Sequence, residues 1–129
     1  MDKQHNAKEA IVVMVVEDEM MLRMAAVDAM DDAGFFVIEA VNADAAVRIL
    51  QARAGSVDAL FTDVNMPGPM NGLMLARHAR RLWPWIGVLV ASGDVKPGTA
   101  DMPDDSRFFS KPYDLNSVVR RIRETARAA

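Results

Sequence analysis

Apolar runs alternate along this chain with stretches in which apolar residues recur every three or four positions. The first run, Ala10 to Val16 (AIVVMVV), is β-branched and unbroken, the pattern of a strand covered on both faces. In EDEMMLRMAAVDAMDDAG, Leu22, Ala25, Ala26, Ala29 and Met30 return at helical spacing, and Gly34 is a helix stop. Phe35 to Glu39 predicts a second strand. Ala43 to Arg53 predicts a second helix with Ala43, Ala46, Val47 and Leu50 on one face and Asn42 as N-cap. Asp58 to Thr62 predicts a short third strand, and the prolines and glycine within Asp63 to Asn71 predict a loop. Gly72 to Leu82 follows as a helix ended by Pro84. Ile86 to Ala91 and Arg107 to Ser110 predict the fourth and fifth strands. Asp114 caps a last helix with Leu115, Val118, Val119, Ile122 and Ala126 facing inward.

One link departs from this rhythm. Ser92 to Ser106 holds Gly93, Pro97, Gly98 and Pro103, which disfavour a regular helix, so the fourth helix is expected to be short or irregular. The alternation as a whole predicts an α/β fold, a parallel sheet with helices on both faces. Ligands in such folds bind beyond the carboxyl ends of the strands.

Polar groups collect at those ends. Glu17 and Asp18 follow the first strand, Asp63 the third, Ser92 the fourth, and Lys111 with Pro112 the fifth. Each alone has an ordinary explanation: acids after a strand suit a helix N-terminus, a serine suits a turn, and a lysine is usually solvated. Together at one edge they define a site. Three carboxylates at neutral pH call for a cation. Oxygen ligands without His or Cys point to Mg²⁺, with Mn²⁺ as the alternative; Mg²⁺ keeps several waters and leaves room for a phosphoryl group. A lysine and a hydroxyl then supply charge and a hydrogen bond to phosphoryl oxygens. The chemistry implied is phosphoryl transfer onto a carboxylate nucleophile.

Composition narrows the classes further. A chain of 129 residues fits one domain and buries about two thirds of its unfolded surface. Cysteine is absent, which excludes disulfides, thiolate metal sites and cysteine nucleophiles. The two histidines, His5 and His78, are far apart, so a His-rich metal site or a catalytic triad has little support. A net charge of −3 gives no general attraction to nucleic acid or anionic lipid. The Ala10–Val16 run is too short to span a bilayer, and Pro84 and Gly87 interrupt the Leu82–Ala91 stretch. No signal peptide is evident, so a cytoplasmic location is expected.

The set VVEDE, LFTDVNMPG, VLVASG and FFSKPYD resembles the receiver domain of two-component response regulators, its markers in order and at matching spacing from Ile11 to Arg127. The resemblance implies a polar tail at 1–9 and a receiver domain at 10–129. It implies a doubly wound five-stranded sheet of order 2-1-3-4-5. Asp63 corresponds to the phosphoacceptor. Glu17 and Asp18 correspond to the acidic pair that holds Mg²⁺, Asp18 more directly, and Asn65 to the position whose backbone carbonyl completes that site. Ser92 and Phe108 fall at the switch hydroxyl and switch aromatic, and Lys111 at the phosphate-pairing lysine. Pro112 matches a proline often preceded by a cis bond. Asn65 and Asp94 flank the site where the family tunes hydrolysis. The implied donor is a histidine kinase or histidine phosphotransfer protein. The output partner is unnamed, and the implied state is a monomer or a phosphorylation-dependent dimer. The only catalysis implied is the domain's own phosphoryl transfer and dephosphorylation.

Three features depart from the family pattern: MPGPMNG is one residue longer than usual, Phe108 lacks a phenolic hydroxyl, and the Ser92–Lys111 segment is short. Two alternatives follow from the same residues, a phosphohydrolase with an aspartyl-phosphate intermediate and a pseudo-receiver that binds partners unphosphorylated. The chain ends soon after its last helix, so no output domain is expected within it; it is expected to signal by binding a partner protein, to relay phosphate to another histidine, or to be a fragment of a larger regulator. Met20, Met24 and Val27 are expected on the side of the first helix away from Leu22 and Ala26, an apolar stripe beside the acidic site that could dock a phosphodonor helix. Met30 is expected in the core. Arg120, Arg121, Arg123 and Arg127 are expected on a solvated face rather than in a nucleic-acid patch. Trp83 and Trp85 are read as packing, and His78 as a surface residue.

Overall fold

The computed structural model describes residues 10–93, 102, 103 and 105–128. The expected tail at 1–9, Asp94 and most of the expected irregular turn after Ser92 lie outside these residues. The described strands are β1 (Val12–Val16), β2 (Phe36–Ala40), β3 (Ala59–Asp63), β4 (Gly87–Ser92) and β5 (Arg107–Ser110). The described helices are α1 (Met20–Asp32), α2 (Ala43–Arg53), α3 (Gly72–Leu82) and α4 (Leu115–Ala128), with a 3₁₀ turn at Ala54–Ser56. No described helix is long and apolar enough to cross a membrane.

All pairings are parallel, and the strand order is β2-β1-β3-β4-β5, as expected. The chain leaves β1 for β2 on one side and returns to β3 on the other, so a crevice opens at the carboxyl ends of β1 and β3. Side-chain alternation divides the core between the two faces. Met14, Val16 and Leu60 meet Ala46 and Leu50 of α2 and Leu75 and Ala79 of α3. Val13, Val15, Phe61 and Leu89 meet Ala26 and Met30 of α1 and Val118 and Ile122 of α4. Met30 is therefore core, as expected.

The strand ends shift slightly from the sequence pattern. Asp58 immediately precedes β3, its N–H donating to Val12 O at 2.8 Å and its Oδ2 accepting from the Val12 N–H at 2.8 Å. The ladder instead runs through Asp63, paired with Ala91, so this aspartate is the last residue of a buried strand. Asn42 caps α2 by accepting from Ala45 N–H at 2.8 Å, and Asn71 caps α3 by accepting from Met74 N–H at 2.9 Å. Such caps are worth about 1 kcal/mol each.

Three expectations need correction. In α1 only Ala26 and Met30 are buried, Leu22 is 40% exposed, and Val27 is half-buried against the core. The helix is apolar around most of its girth, so spacing alone does not choose a face; packing against the sheet does. The exposed apolar set is therefore Met20, Met21, Leu22 and Met24, not Met20, Met24 and Val27. Arg123 is not on a solvated face. Its Nη2 donates to the Ala33 carbonyl at the end of α1 at 2.9 Å, and its guanidinium lies 5.4 Å from the Phe35 ring centre. Arg120 and Arg121 do face solvent, Arg121 paired with Glu124 at 3.2 Å. His78 is half-buried, edge-on to Trp83 with ring centres 5.8 Å apart. Trp83 packs against the core as expected, while Trp85 is 46% exposed and donates to the Ala54 carbonyl at 3.0 Å.

Candidate functional site

The register sets the site. Val16 pairs with Thr62 and Asp63 with Ala91, so Glu17 leaves β1 level with the end of β3. Ser92 pairs with Ser110, which brings Lys111 out of β5 beside them. Glu17, Asp63 and Ser92 are buried, Lys111 is half-buried and Asp18 is exposed at the rim. Backbone bonds tie these ends together: Glu17 N–H to Ala40 O at 3.1 Å, Val64 N–H to Ala91 O at 2.9 Å and Lys111 N–H to Ser92 O at 3.0 Å. The Lys111–Pro112 peptide is cis.

Charge dominates the crevice. Lys111 Nζ stands 2.9 Å from Asp63 Oδ1 and 3.8 Å from Glu17 Oε1. Burial pulls the ammonium's pKa down, but its contact with Asp63 and the charges of Asp63 and Glu17 outweigh this, so the lysine titrates above its ordinary range. Burial pushes the Glu17 carboxyl up and the charges of Asp63 and Asp18 push the same way, against the Glu19 N–H and Lys111. Glu17 Oε2 accepts from that N–H at 3.0 Å. Tyr113 shields the flank, its ring edge-on to Phe61 with centres 5.4 Å apart. Its phenol is raised mainly by burial and then by Glu17.

One carboxylate oxygen from each of Glu17, Asp18 and Asp63 lies within 4.8 Å of the others. Like charges this close repel, and one ammonium does not balance three carboxylates. Asp63 Oδ1 is buried without an aligned hydrogen-bond donor, the lysine beside it acting as a counter-charge. An all-oxygen set with one rim carboxylate open to water fits a hard divalent cation that keeps part of its hydration.

The other expected residues are placed around this cluster. Asn65 lies at the exposed start of the loop after β3. Phe108, on β5, is half-buried against Val64, Ala76, Val88 and Val90. Asp94 lies outside the described residues. Three further residues shape the site without having stood out in the sequence. Arg23 of α1 reaches back to the Glu17 carbonyl, and Gly72 opens α3 directly against Asp63. Thr62 is buried, its hydroxyl donating to the Asp63 carbonyl at 3.0 Å. The legible signal for Arg23 was a charge three and four residues before the inward Ala26 and Val27. Beside the crevice, a mostly apolar groove of about 370 Å³ runs between Leu22, Ala25, Lys111, Pro112, Tyr113 and Leu115.

The family model of the response regulator receiver domain matches residues 13–123. The chain is 31% identical over 120 residues to the response regulator receiver protein CpdR of Brucella abortus (strain 2308), covering 91% of this chain and 98% of CpdR. It is 32% identical over 126 residues to the sensor kinase CckA of the same organism, covering 95% of this chain but only 13% of the kinase's length. A solved response regulator receiver protein from Sinorhizobium medicae WSM419 shares the fold with a TM-score of 0.87 at 24% identity, over 94% of this chain and 98% of that one.

Proposed function

Because the chain belongs to the response regulator receiver family, we propose that Asp63 is its phosphoacceptor and that Glu17, Asp18 and Asp63, with the Asn65 carbonyl, hold Mg²⁺ beside it. Receiver domains take phosphoryl groups from histidine kinases or phosphotransfer proteins. The observation that carries the assignment is the convergence of three carboxylates and Lys111 on one crevice at the switch point of the sheet. When bound, Mg²⁺ supplies charge neutralisation for the transferred group.

Asp63 is the last residue of β3, at the crevice. An Asp63 carboxylate oxygen attacks phosphorus in line, the O–P bond forms, and the N–P bond of the donor phosphohistidine breaks, its electron pair returning to the imidazole. Lys111, already 2.9 Å from Asp63, pairs with a phosphoryl oxygen, and the Ser92 hydroxyl at the end of β4 supplies a hydrogen bond. Movement of Ser92 frees space that Phe108 of the adjacent strand takes up. Carrying such an equilibrium from 1:99 to 99:1 takes about 5.5 kcal/mol of differential stabilisation. A dianion paired with a lysine is a source on that scale. The donor's helix meets the rim made by Met20, Met21 and Met24 and the groove beside Lys111, where flexible thioethers adapt to an apolar partner.

The test is incubation with acetyl phosphate and Mg²⁺ followed by peptide mapping. One phosphoryl group on the peptide carrying Asp63 is expected, and steady turnover of an unrelated phosphate ester would favour a phosphohydrolase instead. Lys111→Ala is expected to accept the group yet lose most of the conformational response. Amide NMR shifts of β4 and β5 should then stay close to those of the unphosphorylated form. A full wild-type shift pattern in that variant would remove Lys111 from the switch.

A further inference from the structure

We propose that Arg23 is a positioning residue for the acidic crevice, holding the Glu17–Asp18 peptide so that both carboxylates face one cation. This rests on the reading of the crevice as a Mg²⁺ site. Arg23 projects from α1 towards the sheet, and its side chain is only 15% exposed. Nη1 donates to the Glu17 carbonyl at 2.9 Å, and Nε donates to Glu39 Oε1 at 3.2 Å. Glu39 is on β2, so one guanidinium spans the start of α1, the end of β1 and the edge of the sheet.

The geometry makes the carbonyl bond the decisive one. Glu17 has its N–H tied to Ala40 O of β2, and its carbonyl is tied by Arg23. With both peptide groups held, the plane of the Glu17–Asp18 bond is set, which fixes the position of the Asp18 Cα from which its side chain reaches the crevice. Asp18 is exposed, so packing does little to aim it. The Glu39 pair is half in water, with Glu39 52% exposed, and pairs of that kind add little stability. A largely buried guanidinium is likewise weak evidence for stability as such, since apolar replacements of buried ion pairs are often tolerated. Its use is orientation. Groups that orient metal ligands without touching the metal typically alter affinity by about 10–100-fold when removed.

The test is calorimetric titration of Mg²⁺ into the wild type and variants, with unfolding midpoints measured in the absence of Mg²⁺. Arg23→Met keeps the apolar stem and removes every donor; it is expected to raise the Mg²⁺ dissociation constant about tenfold. Arg23→Lys, which can still reach one oxygen, is expected to recover most of that loss. Glu39→Gln, which spares the carbonyl bond, is expected to stay within about twofold of wild type. A lower unfolding midpoint for Arg23→Met with an unchanged dissociation constant would reduce Arg23 to a structural strut and overturn the proposal. If Arg23→Met does not fold, Arg23→Gln, too short to reach the Glu17 carbonyl from α1, replaces it under the same criterion. A wild type that binds no Mg²⁺ sinks the cation reading itself and this inference with it. A wild type that binds while Arg23→Met binds equally well sinks only the inference.

Discussion

Asp63→Asn is expected to fold and to take up no phosphoryl group. The amide has nearly the carboxylate's shape, so β3 keeps its pairing to β4 through residue 63. It lacks the negative oxygen that attacks phosphorus, and a neutral amide is a poor nucleophile at any accessible pH. The charge balance of the crevice predicts little cost in stability. The change removes an ion pair to Lys111 but also relieves repulsion from Glu17 and Asp18, two effects of opposite sign within a few ångströms. Because the two partly cancel, the loss should fall well short of the roughly 3–5 kcal/mol that breaking an otherwise unopposed buried pair costs. Intact-mass measurement after acetyl phosphate and Mg²⁺ decides the first point, and chemical denaturation the second. Undiminished label on the Asp63→Asn variant would mean that another side chain is the acceptor.

Gly72→Ala is expected to cost about 3 kcal/mol or more, although alanine is ordinarily the better helix former. A Cβ at this position would overlap the Asp63 carbonyl oxygen and stand 2.6 Å from its carbon and 2.9 Å from Thr62 Oγ1. The first two are backbone atoms of a buried strand, so no rotamer change relieves the clash. Gly72 N–H also donates to Val64 O at 2.9 Å, which ties the start of α3 to the same segment. The helix must back away from the end of β3, and Asp63 must move with its carbonyl. Phosphoryl acceptance should fall along with stability. Gly87 provides the contrast: a Cβ there would overlap Thr125 Cγ2, a side-chain atom, so Gly87→Ala should be rescued in large part by Thr125→Ser. Gly55→Ala, with nothing within 4 Å, should lie within about 0.5 kcal/mol of wild type. Denaturation midpoints with unchanged slope measure all three. A loss under about 1 kcal/mol for Gly72→Ala would show that α3 does not press on Asp63 as described.

Much of the fold could be read along the chain because its signals are local. Unbroken β-branched runs such as IVVMVV mark strands covered on both sides, and Asn42 and Asp114 stand where helix starts need an acceptor. The strand order came only through the resemblance, because it is a matter of pairing between distant segments. The members of the crevice were legible for a related reason: in a parallel sheet every strand end points the same way, so polar residues that close successive strands share one edge, while order and register decide which of them come together.

What the sequence by itself determined is therefore the list of strands and helices and the set of polar groups at the strand ends. Both follow from the periods of the backbone, two for a strand and 3.6 for a helix, which act within a few residues. Only the tertiary structure decided which side of α1 faces inward, that Arg123 secures the end of α1, that Arg23 grips the Glu17 carbonyl, and that Gly72 lies against Asp63. α1 carries apolar residues nearly all the way round, so its periodicity is degenerate. An arginine's long side chain reads as solvated until a carbonyl from another element comes within hydrogen-bonding reach of it. Those contacts exist only once the layers are packed, because the atoms that make them are brought together by the fold and not by their places in the chain.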